Sequence, residues 1–202
     1  MAIELTKDVA KKLMEIKGEV RGVVFGIDGA YVLKEKGKEG LKKIEEELEK
    51  LGYPIKYGEI ETFNYYPVGL RVLSLLAIKK VFNLDDKKIK EMGFFGTKIS
   101  VIVKFFIKYV FYPKKAFNAQ TSRLWREHWT IGDLIPVEID EEKKYAILRL
   151  KNFSLHPVYC KYLEGYFPGP FQLMIKSSKI TCEETKCTFR GDEYHEYLIK
   201  WQ

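Results

Sequence analysis

The chain of 202 residues is 46% apolar and 31% charged, which allows one sizeable core and excludes a disordered or fibrous class. Its net charge of +7 does not point to nucleic acid, because lysines alternate with glutamates, as in KEKGKEGLKKIEEELEK from Lys34 to Lys50, and no aromatic-plus-basic module accompanies them. Three cysteines, all between Cys160 and Cys187, make a poor disulfide framework, so a reducing, cytoplasmic setting is expected.

Thr6 is placed to cap a first helix, KDVAKKLMEI, on which Val9, Leu13 and Ile16 share a face; Gly18 ends it. The opening is charged and amphipathic where an export signal would be apolar, so none is expected. The alternating, β-branched stretch Val20–Ile27 predicts a short strand, with Gly26 and Gly29 as its turn. The spacing of Gly22, Gly26 and Gly29 is not that of a dinucleotide loop. Helical period returns from Ala30 to Leu51 with Leu41, Ile44 and Leu48 on one stripe, and Gly52 terminates it. After a tyrosine-rich connection, Pro67 opens a helix to Phe82, and a further helix is expected from Leu84 to Tyr112, stopped by Pro113. The apolar run Ile99–Tyr112 falls short of the roughly 20 residues that a membrane span needs and carries Lys104 and Lys108, so no transmembrane segment is expected.

A helix over Phe117–Trp129 comes next, then strands Leu134–Ile139 and Tyr145–Leu150 around the acidic turn DEEKK. Pro157 starts another helix, and Pro168 and Pro170 interrupt it. The segments Ile180–Phe189 and Tyr194–Trp201 form a last hairpin about Arg190-Gly191-Asp192. The fold class is therefore α+β: an antiparallel sheet packed against several helices, divided loosely into a helical part over 1–112 and a C-terminal α+β part over 113–202.

Chemistry concentrates near the end of the chain: Cys160, CEETKC from Cys182 to Cys187, and His195. With the hairpin centred on Gly191, Cys187 faces His195, and directly opposed side chains lie about 5 Å apart at Cβ, close enough to share a metal ion. Cys160 falls in the first turn after Pro157, where the helix dipole favours a thiolate, and offers a third ligand. Spacing leaves Glu184 and Cys182 in competition for the fourth position, since either needs a bulge to share a face with Cys187. No Ser/His/Asp or Cys/His nucleophile arrangement can be built from three histidines without consuming these ligands, and no hydride-donor site is recognisable, so an enzyme is not expected.

The pattern HPVYCKYLEGYFPG followed by ITCEETKCTFRGDEYHEYLIKW resembles the closing half of the vinyl-4-reductase-like domain. The lysine- and glutamate-rich composition resembles that of a heat-adapted proteome, and the family resemblance implies an archaeal, stand-alone member. The resemblance implies a structural zinc ion on Cys160, Glu184, Cys187 and His195, with Cys182 left over; His195 replaces the family's usual cysteine, and imidazole is also a zinc ligand. RGVVFGIDGAYVLKEKGKEGLKKIEEELEKLG is similar to the opening of related haem-nitric-oxide-sensor and trafficking-subunit domains. Haem itself is not expected, because the Tyr-x-Ser-x-Arg element of the sensor branch is missing.

The resemblance further implies a module that binds or senses a small hydrophobic or aromatic molecule and pairs as a homodimer; a dimerising scaffold without a ligand is the alternative. The candidate pocket lies between the helix of Phe105, Phe106, Tyr109 and Phe111 and the helix of Trp125, His128 and Trp129, with Phe105, Tyr109, Trp125, His128 and Trp129 as its lining. Solid core packing is the competing reading for all of these aromatic residues.

Overall fold

The computed structural model describes residues 5–99, 113–175, 177 and 179–202. The chain divides into two compact units, Met1–Ile89 and Lys90–Gln202.

In the first unit Thr6 accepts the Val9 amide at 3.3 Å and opens α1 (Lys7–Met14), which buries Ala10 and Leu13. Strand β1 (Glu19–Arg21) pairs antiparallel with β2 (Tyr65–Pro67). The strand expected over Val20–Ile27 is thus only three residues long. Helix α2 (Val23–Lys50) begins straight after Gly22, and Gly26 and Gly29 lie within it rather than in a turn. Phe25, Ile27, Asp28, Tyr31 and Val32 are buried at helical spacing, so the apparent alternation was the start of a 3.6-residue period. Gly22 is tied to the Asn64 carbonyl, and a Cβ there would run into the Glu61 carbonyl.

Helix α2 breaks at Gly37, whose φ of 68° and ψ of −171° are not helical, and ends before Gly52 at φ 87°. Helix α3 (Val68–Val81) is buried at Val68, Val72, Leu75 and Ile78, and also at the polar Arg71 and Ser74. Both find partners inside the core: Arg71 forms an ion pair with Asp28, and the Ser74 hydroxyl donates to Asp28 at 2.7 Å and meets the Tyr57 hydroxyl at 2.8 Å. Burial pushes the Tyr57 phenol above its ordinary range, so that hydroxyl keeps its proton as a hydrogen-bond partner.

The second unit contains a four-stranded antiparallel sheet in the order β3 (Asp133–Asp140), β4 (Tyr145–Lys151), β6 (His195–Trp201), β5 (Ile180–Lys186). Ala146, Leu148 and Leu150 of β4 and Tyr197 and Ile199 of β6 turn to the buried face, as a two-residue period requires. Helix α5 (Pro113–His128) packs on β3, and α6 (Val158–Tyr166) and α7 (Pro168–Ile175) pack on β5. The end of the helix expected to stop at Pro113 lies outside the described residues.

Helix α4 (Asp86–Ile99) meets α6 backbone to backbone: a Cβ at Gly93 would strike the Tyr162 carbonyl, and one at Gly165 the Lys90 carbonyl. No helix among the described residues is long and apolar enough to cross a membrane.

Candidate metal centre

The last hairpin decides which side chains meet. Lys186 pairs with Glu196, as a turn centred on Gly191 demands, but two residues earlier Glu184 pairs with Tyr197, so Thr185 is an extra, bulged residue. The bulge changes the parity of β5 and turns Glu184 to the same buried face as Cys187 and His195. Gly191 closes the turn in the left-handed region at φ 96°, and the Asp192 carboxylate accepts the Cys187 amide at 2.8 Å. Across from the hairpin, the first turn of α6 presents Cys160.

Cys160, Glu184, Cys187 and His195 converge: one ligand atom from each lies within 4.8 Å of the others, and every one of these residues is at most 6% exposed. The Cys160 and Cys187 sulfurs are 3.5 Å apart, and His195 Nδ1 is 2.9 Å from Glu184 Oε1 and 4.0 Å from Cys160 Sγ. Cys182 is not in this group. It lies two residues before Glu184 and pairs with Ile199.

The surroundings hold the group in place. Glu164 of α6 accepts the Glu184 amide at 3.0 Å and also pairs with Lys90 at 2.5 Å and Lys161 at 3.2 Å. Arg190 clamps Glu184 twice, at Oε2 (3.3 Å) and at its carbonyl (3.1 Å), which leaves Oε1 facing the cluster. Burial raises the Glu184 carboxyl, but hydrogen bonds from His195, Cys160 and Cys187 outweigh it and hold the group below its ordinary value. Burial, with the Glu184 charge next, pushes the Cys160 thiol up. Two sulfurs, an imidazole nitrogen and a carboxylate oxygen, gathered with several acceptors turned toward each other, are what a divalent ion of borderline softness takes as ligands.

The candidate pocket has a different fate. Phe105, Phe106, Tyr109 and Phe111 lie outside the described residues. Trp125 and Trp129 stack at 5.3 Å between ring centroids and meet Phe153 edge-on at 5.3 and 5.4 Å, while Phe153 and Trp129 both meet Tyr159. Trp125 donates its indole proton to the Ile131 carbonyl at 3.0 Å, and His128 Nδ1 lies 2.9 Å from the Leu124 carbonyl oxygen. Among the described residues these side chains therefore form a packed aromatic cluster. Phe153 and Tyr159 complete it, and sequence reasoning missed both, because neither lies on the helix that carries the tryptophans.

No family model matches the chain, and no curated protein matches it either. Solved structures do. An H-NOX protein from S. oneidensis in its Fe(II)NO ligation state is 16% identical with a TM-score of 0.63, covering 90% of this chain and 99% of that one. The Fe(II) unliganded H-NOX protein from K. algicida is 14% identical with a TM-score of 0.62, covering 90% and 96%. A mutant H-NOX domain from Shewanella oneidensis in the Fe(II)CO state, solved by NMR, is 14% identical with a TM-score of 0.66, covering 90% and 98%.

These matches overturn the expectation that put structural zinc in haem's place, because the matched structures include ones solved to probe haem distortion in the H-NOX family and to modulate haem redox potential. That expectation leaned on one missing local motif, whereas a fold is recorded in arrangement. Of the described histidines, His195 has both ring nitrogens engaged in or beside the cluster, His156 Nδ1 accepts the Val158 amide at 3.1 Å, and His128 Nδ1 faces the Leu124 carbonyl of its own helix. At these identities the likeness establishes architecture: the chain has the α+β fold of the H-NOX domains.

Proposed function

We propose that this chain is a small-molecule-binding sensory domain whose C-terminal hairpin is fastened to α6 by one divalent transition-metal ion on Cys160, Glu184, Cys187 and His195. The observation that carries the reading is the convergence of four buried ligand atoms within 4.8 Å. Imidazole Nδ1 and carboxylate Oε1 sit 2.9 Å apart, a distance that calls for a cation or a proton between them. Four protein ligands leave no open coordination position, so the ion holds strands together and activates no water.

The sensory half of the reading is supported by the H-NOX fold and by the likeness of the closing segment to the vinyl-4-reductase-like domain. A small hydrophobic or aromatic molecule is the ligand class this combination suits, and a second copy of the chain is the suggested partner. Untagged protein, purified under reducing and chelator-free conditions, should carry about one equivalent of metal by elemental analysis. The same sample, assayed for haem by absorbance and for other ligands by native mass spectrometry, reads what else is bound. Protein that neither retains nor takes up metal would overturn the metal reading. A monomer mass in sedimentation at micromolar concentration would remove the homodimer.

A further inference from the structure

Thr188 and the Phe153 carbonyl lie behind His195 and have no place yet in the proposed centre. His195 Nε2 is 2.9 Å from the Phe153 carbonyl oxygen and 2.9 Å from Thr188 Oγ1. A carbonyl oxygen only accepts, so Nε2 carries a proton. Were Nε2 bare, its lone pair would point at the carbonyl's own lone pairs across 2.9 Å. The Ser154 hydroxyl donates to Thr188 Oγ1 at 2.9 Å, which fixes that hydroxyl and leaves its second lone pair for the imidazole proton. With Nε2–H shared between two acceptors, Nδ1 is the nitrogen a metal ion can take in place of the hydrogen bond to Glu184, and it is the one turned to Glu184 and Cys160.

From this geometry we infer that Thr188 and the Phe153 carbonyl are the positioning groups of the metal centre, locking His195 in the Nε2–H tautomer so that it ligates through Nδ1. The inference rests on the metal reading above and adds which nitrogen binds and which residues choose it. Outer partners of metal-bound histidines fix both ring orientation and basicity, and losing one typically costs about 10- to 100-fold in metal affinity. Thr188 sits in the hairpin turn itself, one residue after the ligand Cys187, so the turn supplies a ligand and the device that aims another.

The test uses the full chain, ¹⁵N-labelled and loaded with cadmium as a closed-shell stand-in for the metal. Long-range ¹H–¹⁵N correlation separates the two nitrogens, because Nε2 couples to both ring carbon protons and Nδ1 strongly to one. A metal-shifted Nδ1 beside a protonated Nε2 is expected; a metal-bound Nε2 overturns the inference while leaving the metal site standing. Absence of cadmium binding in the wild-type chain instead overturns the metal reading beneath it, and the inference with it. Thr188→Val should weaken metal binding about tenfold in chelator competition, and Thr188→Ser should restore it. Wild-type affinity in Thr188→Val removes Thr188 from the role. If that variant does not fold, Thr188→Ser at wild-type affinity and the nitrogen assignment in the wild-type chain still decide the matter.

Discussion

Replacing Phe153 by alanine tests whether the aromatic cluster is load-carrying core or the lining of an open cavity. Phe153 is 2% exposed and its ring meets Trp125, Trp129 and Tyr159 edge-on, all between 5.3 and 5.5 Å. Removing a buried phenyl costs about 3–5 kcal/mol, and three edge-to-face partners, each adding about 0.5–1.5 kcal/mol beyond buried area, place this one at the upper end. With about 2 kcal/mol per molar for the urea slope of a small protein, the unfolding midpoint should fall by roughly 2 M. The stacked Trp125 and Trp129 report the transition directly by fluorescence, and Phe63→Ala, at a ring 79% exposed, is the control expected within about 0.5 kcal/mol of the parent. A Phe153→Ala midpoint no lower than that of the control would refute packing as the role of the cluster and return these residues to a ligand cavity.

Cys187→Ser should release the metal and loosen β5 and β6, whereas Cys182→Ser should leave metal content unchanged, both read by elemental analysis; loss of metal in the second variant would place Cys182 among the ligands. The Glu184 carboxyl is held below its ordinary value in the folded chain, so the stability it lends metal-free protein is present above the unfolded carboxylate value of about 4.3 and is lost as pH falls through the lower folded one. Urea midpoints measured from pH 6 downward should therefore decline more steeply for the parent than for Glu184→Gln, and parallel declines would contradict this. Gly165→Ala should destabilise the chain by about 1–3 kcal/mol, because the new methyl meets the Lys90 carbonyl rather than a side chain that can swing away; thermal unfolding near the parent midpoint would disprove the backbone crossing.

Much of the second unit was legible in the sequence because its signals are local. Leu134–Ile139 and Tyr145–Leu150 alternate, the Arg190-Gly191-Asp192 turn centres a hairpin, and Pro157 marks a helix start. The facing of residues 186 and 196 follows from the glycine position alone. The bulge at Thr185 does not: spacing left Glu184 and Cys182 in competition, and what turned Glu184 inward is one unpaired residue with no sequence signature of its own.

The first unit misled where a β-branched run lay over a helix start. Val20–Ile27 alternates over a few residues, and only the tertiary bonds of Gly22 and Val23 to Asn64 and Thr62 end the strand at Arg21. The aromatic cluster was half legible, since Trp125 and Trp129 share a helix face while Phe153 and Tyr159 arrive from a loop and from α6. The expectation about haem rested on a short motif, whereas the likeness to solved H-NOX structures, at 16% identity or less, is one of topology, which no short motif records.

The glycine contacts between α4 and α6 bear on how the two helices respond to force. Most helix pairs touch through side chains, whose rotamers act as springs and absorb a small displacement. Where Gly93 lies on the Tyr162 carbonyl and Gly165 on the Lys90 carbonyl, main chain rests on main chain and that compliance is missing. Cys160 stands on the same helix as Gly165, with Lys90 also joined to Glu164. A shift of α6 by a fraction of an ångström, as a cluster of ligands contracts or relaxes, is thus passed to α4 as rigid translation instead of being dissipated in side-chain rearrangement.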